Sequence, residues 1–120
     1  MKTGRELDIL VAEKVMGWVV DGDIIENADL DEQGRCTFPS GDFLMNKETR
    51  EPLPNYSTNI ADAWKVLEKL IQLGAEINVG FYKQWDCSID YPIGCNWLVQ
   101  AETAPLAICL AALKALGVEV

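Results

Sequence analysis

The chain has 120 residues, a length suited to one domain that buries a core without disulfides or a structural metal. Ten Lys and Arg stand against nineteen Asp and Glu, a net charge of −9 that repels nucleic acid and anionic lipid surfaces and so argues against both as partners. There is no histidine, which removes the commonest general base and metal ligand.

The first predicted element is a helix from about Arg5 to Met16. Thr3-Gly4-Arg5-Glu6 fits a capping box, Leu7, Leu10, Val11 and Val15 recur at helical spacing, and Gly17 supplies a stop. From Trp18 the pattern turns short and broken. Trp18-Val19-Val20 and Ile24-Ile25 read as strand material, and the acidic run from Asp21 to Glu32 reads as a solvated loop. Arg35 to Phe38 and Phe43 to Met45 are short strand candidates on either side of the turn former Pro39-Ser40-Gly41. Pro52 and Pro54 then favour an extended connection.

A second helix starts near Ile60 and stops at Gly74, with Ile60, Trp64, Leu67 and Ile71 on one stripe and Ala63 and Leu70 flanking it. Three capping types precede it in a row, Ser57, Thr58 and Asn59, although one side-chain oxygen suffices to cap. Ile77, Val79 and Phe81 alternate on a half-buried strand, and Trp85, Cys87 and Ile89 repeat the period. Cys95, Trp97 and Val99 repeat it again after the turn Asp90-Tyr91-Pro92-Ile93-Gly94. Thr103 caps a last helix with Pro105 in its first turn, and the run APLAICLAALKALG carries one charge, Lys114. It is too short to span a bilayer, and a helix apolar nearly all round needs cover on more than one side. Leu106, Leu110 and Leu113 are expected to face the core beside Leu67, leaving Ile108, Ala112 and Leu116 for a homo-oligomer contact, with the sheet edge as the alternative. Hairpin-length turns between the strands imply antiparallel pairing, so the predicted class is α+β, one domain over residues 1–120.

The chemistry is sparse. Ser57, Ser88 and the cysteines lack a histidine partner, and no P-loop or nucleophile-elbow pattern occurs, so no catalytic residue and no cofactor are assigned. Cys36, Cys87, Cys95 and Cys109 include no C-x-x-C pair, which argues against zinc, and the carboxylates of the acidic run are expected to be solvated rather than to bind metal. With no signal-like stretch before Arg5, a reducing cytoplasm is expected, with a Cys87–Cys95 bridge as the alternative to free thiols. The order helix, three strands, helix from Ile60 matches a double-stranded RNA binding domain, but Lys114 alone on the last helix cannot grip phosphates.

Three stretches, GRELDILVAEKVMGW at Gly4 to Trp18, NYSTNIADAWKVLEKL at Asn55 to Leu70 and AETAPLAICLAALKAL at Ala101 to Leu116, resemble the signature blocks of the phage ABA sandwich domain family. The resemblance implies a small protein of phage or prophage origin, an antiparallel sheet packed between helix layers as an α-β-α sandwich, and no catalytic residues to carry over. The segment at about 19–52 is then a variable acidic insertion. Phage origin favours action by occupancy. One form is a binder that sequesters a nucleotide-derived small molecule, a host immune signal, in the host cytoplasm. Its expected site joins Ser57, Thr58 and Asn59 at the start of the second helix to Tyr56 and Trp85, with Arg35, Arg50 or Lys83 folded over a phosphate. The alternative is an acidic protein that mimics DNA or masks a basic surface of a host protein, or one whose role is structural only.

Overall fold

A computed structural model describes residues 4–21, 24–25, 41–42, 44–92 and 94–118. In chain order these form α1 (Arg5–Lys14), β1 (Val20–Asp21), β2 (Ile24–Ile25), β3 (Gly41–Asp42), β4 (Met45–Asn46), α2 (Ile60–Gln72), β5 (Glu76–Tyr82), β6 (Gln84–Asp90), β7 (Asn96–Ala101) and α3 (Ala104–Ala115). The class is the expected α+β, with helices packed against an antiparallel sheet.

The capping position of α1 falls on Gly4, which has no side chain to offer, rather than on Thr3, which lies outside the described residues. After α1 the chain makes a narrow antiparallel excursion, in which β1 pairs with β4 (Val20 opposite Asn46) and β2 with β3 (Ile24 opposite Asp42). The expected strand at Arg35 to Phe38, and the acidic residues from Glu26 to Glu32, lie outside the described residues.

The main sheet has the order β5-β6-β7. Its register builds three rows across one face: Ile77, Ile89 and Trp97; Val79, Cys87 and Val99; Phe81, Trp85 and Ala101. The central helix α3 packs on this face against β6 and β7, and α2 and α1 pack against α3. Cys87, Ile89 and Val99 are buried beneath it with Ile108, Cys109 and Leu113. The opposite face presents Glu76, Asn78, Asn96, Leu98 and Gln100, all exposed.

Three packing expectations change. On α2 the buried set is Ala63, Val66, Leu67 and Leu70, whereas Ile60, Trp64 and Ile71 are 52%, 55% and 59% exposed. The helix lays its smaller residues on α3, because Ala and Val let the two axes approach, and turns the bulkier half of its apolar surface outward. On α3 the residues assigned to an oligomer contact, Ile108 and Ala112, are fully buried, while Leu106 and Leu110 are only partly so. That follows from its central place between the sheet and the other helices, which leaves no apolar face spare. Phe81, expected in the core, is exposed, and of Trp85 and Cys87 it is Cys87 that is buried, since the row of Phe81 and Trp85 lies where β7 ends and the chain turns into α3.

Candidate functional site

The segment entering α2 is built around one arginine. The Arg5 guanidinium donates to the carbonyls of Leu53 and Pro54 at 2.9 and 3.0 Å and to Asn55 Oδ1 at 2.9 Å, and pairs with Asp8 at 3.0 Å. Prolines leave carbonyls without the partners that a helix or ladder would give, and a planar fork reaches several of them together. Asp8 in turn accepts the Ser57 backbone N–H at 2.8 Å. The Ser57 hydroxyl accepts from the Gly4 N–H at 3.0 Å and donates to the Gly4 carbonyl at 3.3 Å.

The three capping types therefore have three separate tasks. Asn59 is the cap of α2, its Oδ1 accepting from the Asp62 N–H at 3.1 Å. Ser57 is buried and fastens the loop to the start of α1, whose own capping position has no side chain. Thr58 is exposed in the intervening turn, its N–H donating to the Asn55 carbonyl. Tyr56 is buried in the core, and burial, followed by the Asp62 and Asp8 carboxylates, raises its phenol above the usual range for ionisation.

The cations expected over this segment are elsewhere. Arg50 is exposed in the turn after β4, and Lys83 sits at the β5–β6 tip with its ammonium 5.6 Å from the centre of the Tyr82 ring. No hydrogen bond or ion pair joins either to Ser57, Thr58 or Asn59 among the described residues, and Arg35 lies outside them. Of the predicted ligand-site residues that are described, Trp85 is the one that lines a cavity whose edge begins one residue after Asn59.

That cavity is an open groove of about 720 Å³ between α2, the sheet and the start of α3. The outward residues of α2, Ile60, Trp64 and Ile71, form one wall, and Ile77, Val79 and Ile108 form the floor. Because α2 and β5 run antiparallel, the groove has two distinct ends. At one, Trp64 and Trp85 stand beside Ile60, the first residue of α2, and Thr103 and Ala104, where α3 begins. Towards the other lie Ile71, Ile77 and Asn78, with Glu68 as the one charged residue of the lining. Trp85 is steadied by Phe81, their rings 5.2 Å apart and tilted by 59°. The signal for this groove is present in the sequence as the apolar residues Ile60, Trp64 and Ile71 of α2, whose periodicity does not say which side of the stripe faces out.

Elsewhere, Glu76 faces Asp90 across the β5–β6 ladder, and Asp90 Oδ1 is buried without a hydrogen-bond partner. Ser88 and Asn96 are hydrogen-bonded to each other on the same face. Among the described residues no group of three Cys, Asp or Glu is arranged to hold a metal ion. Cys87, Cys95 and Cys109 are free thiols, so the Cys87–Cys95 bridge is not formed. Burial, then Asp86, pushes the Cys87 thiol up to about 12, and burial, then Asp8 and Cys87, raises Cys109 further. No described helix is long and apolar enough to cross a membrane.

The model of the phage ABA sandwich domain family matches residues 9–113 of this chain. Among solved structures, the chain is similar to a phage protein from Bacillus cereus ATCC 14579, known from a 2.0 Å crystal structure. The identity is 27%, the TM-score 0.60, and the match covers 97% of this chain and 89% of that one. No curated protein matches the sequence.

Proposed function

Given that this chain belongs to the phage ABA sandwich domain family, we propose that it acts in the host cytoplasm by occupancy rather than turnover, sequestering a nucleotide-derived immune signal in the groove between α2 and the sheet. The observation that carries this reading is the pairing, at one end of the groove, of two exposed tryptophans with the starts of two helices. Trp64 and Trp85 offer faces on which a base stacks, and the positive end of the α2 dipole, beside Ile60, favours the negative charge of a phosphate. The groove volume falls within the range of small-molecule sites, roughly 300 to 1,000 Å³. Glu68 orients the ligand, since a phosphate placed at its end of the groove would be repelled.

The test is titration with cyclic dinucleotides, cyclic trinucleotides and ADP-ribose derivatives, followed by tryptophan fluorescence and calorimetry. At least one should bind, quench fluorescence, and be recovered chemically unchanged after the protein is denatured. Trp85→Ala should weaken that binding by roughly tenfold or more, in line with about 1–3 kcal/mol for a stacked base. Absence of binding across the panel would overturn the reading.

A second reading rests on the polar face of the sheet, where Glu76, Asp86 and Asp90 are the acidic residues and the ammonium of Lys83, over the Tyr82 ring at the β5–β6 tip, is the nearest cation among the described residues. A face with an excess of acidic residues suits a protein that masks a basic host surface, with strong salt dependence as its mark.

A further inference from the structure

We propose that β7 is a seam along which two copies of this chain join, antiparallel and edge to edge, so that two three-stranded sheets become one of six strands. This goes beyond the groove and does not rest on what the groove binds.

The first observation is the edge itself. Strand β7 pairs with β6 on one side, and among the described residues no backbone hydrogen bond occupies its other side. Exposed edges are normally blunted by charge, by proline or by a bulge, because a row of free N–H and C=O groups is a template for another strand. Asn96-Trp97-Leu98-Val99-Gln100-Ala101 has no charged residue and no proline, and it pairs in register with β6 over its whole length. In a chain of net charge −9, a charge-free edge is where a second copy approaches with least repulsion. The opposite edge strand, β5, opens with Glu76 and has α2 packed beside it.

The second observation is Leu98. It is 58% exposed on a face whose other β7 members are Asn96 and Gln100, and among the described residues nothing accounts for an apolar residue there. A two-fold axis through Leu98 sets it directly opposite Leu98 of the second copy. The same register places Trp97 opposite Val99 and Asn96 opposite Gln100. Every pair then falls on a common face, as antiparallel pairing requires, and the six-residue edge is used in full apart from Ala101. Two leucines in a non-polar cross-strand pair cover each other, and the amides flanking them exchange hydrogen bonds across the axis.

The experiment uses the full chain in sedimentation velocity from low to high micromolar protein. The wild type should move from monomer to dimer. Leu98→Lys, which puts two ammonium groups face to face at the axis, should weaken the dimer by roughly tenfold or more while leaving the thermal melt of the monomer unchanged, because the side chain is exposed. Glu68→Lys, on α2, should leave association as it was. The register is read separately: Leu98→Cys in a Cys95→Ser background should form an intermolecular disulfide under mild oxidation. A wild type that stays monomeric, a Leu98→Lys variant that dimerises as the wild type does because a different surface is used, or a dimer that fails to cross-link at position 98 would each overturn the proposal.

Discussion

The carboxylate of Asp8 and the backbone N–H of Ser57, separated by 49 residues of sequence, meet at 2.8 Å in the interior. Asp8 is 1% exposed, and its charge is tolerated because the second oxygen holds the Arg5 guanidinium. Through this contact the first turn of α1 and the loop entering α2 become one structure.

Removing the carboxylate should therefore be costly. Asp8→Ala strands a buried N–H and leaves Arg5 without its counter-charge, and should destabilise the protein by about 2–4 kcal/mol in urea unfolding. Ser57→Ala keeps the backbone donor and loses only the hydroxyl bonds to Gly4, so it should cost about 1 kcal/mol. Thr58→Ala, in an exposed turn, should lie within about 0.5 kcal/mol of wild type.

Asn59→Ala should cost about 1 kcal/mol, the usual figure for a lost N-cap, measured by the same unfolding. Ser57 cannot take over as cap, because its hydroxyl is committed to Gly4. Ligand affinity should fall along with stability only if the start of α2 is used for binding, so calorimetry on this variant separates capping from recognition.

Adjacent positions on α2 should respond in opposite ways. Leu70→Ala, at a fully buried site, should cost about 2–5 kcal/mol, whereas Ile71→Ala, one residue on, should change stability by no more than about 0.5 kcal/mol. On α3, Ile108→Ala and Leu113→Ala should cost more than Leu110→Ala, which is only half-buried. Equal losses at Leu70 and Ile71 would contradict the outward placement of the Ile60, Trp64 and Ile71 wall.

The thiols make a prediction in pH. Cys87 is held protonated in the folded protein up to about 12, while in the unfolded chain it ionises near its ordinary value of about 9. Its contribution to stability is thus complete below about pH 9 and declines as pH rises from there towards 12, because the unfolded state then gains by losing a proton that the folded state retains. Chemical denaturation at pH 8 and pH 10.5 should show the fall, and Cys87→Ala should reduce it. In native protein at pH 8, iodoacetamide should alkylate the exposed Cys95 and spare Cys87 and Cys109, as read by peptide mass.

Periodicity made the helices after Asn59 and the three long strands legible, since each has a clear period and a punctuating residue such as Gly74 or Thr103. It failed where two answers share a period. On α2, the stripe through Ile60 and the stripe through Ala63 differ by one step around the helix, and only the tight approach to α3 decides between them. On α3 nearly every position is apolar, so no stripe stands out and centrality had to come from the fold. The Asp8–Ser57 contact was hidden for another reason. An acid in the first turn of a helix reads as surface charge, and neither its burial nor a partner 49 residues away leaves a local trace.

The excursion between Val20 and Asn46 leaves and rejoins the protein at paired positions, with Lys47 N–H donating to the Val19 carbonyl at 2.7 Å just below them. A chain that departs and returns at one point confines its length to a closure entropy that grows only logarithmically, by about 0.6 kcal/mol for each doubling. The helices and the main sheet are therefore nearly indifferent to how much sequence the excursion holds. It is a natural place to splice in a peptide of different length while the rest of the molecule folds as before.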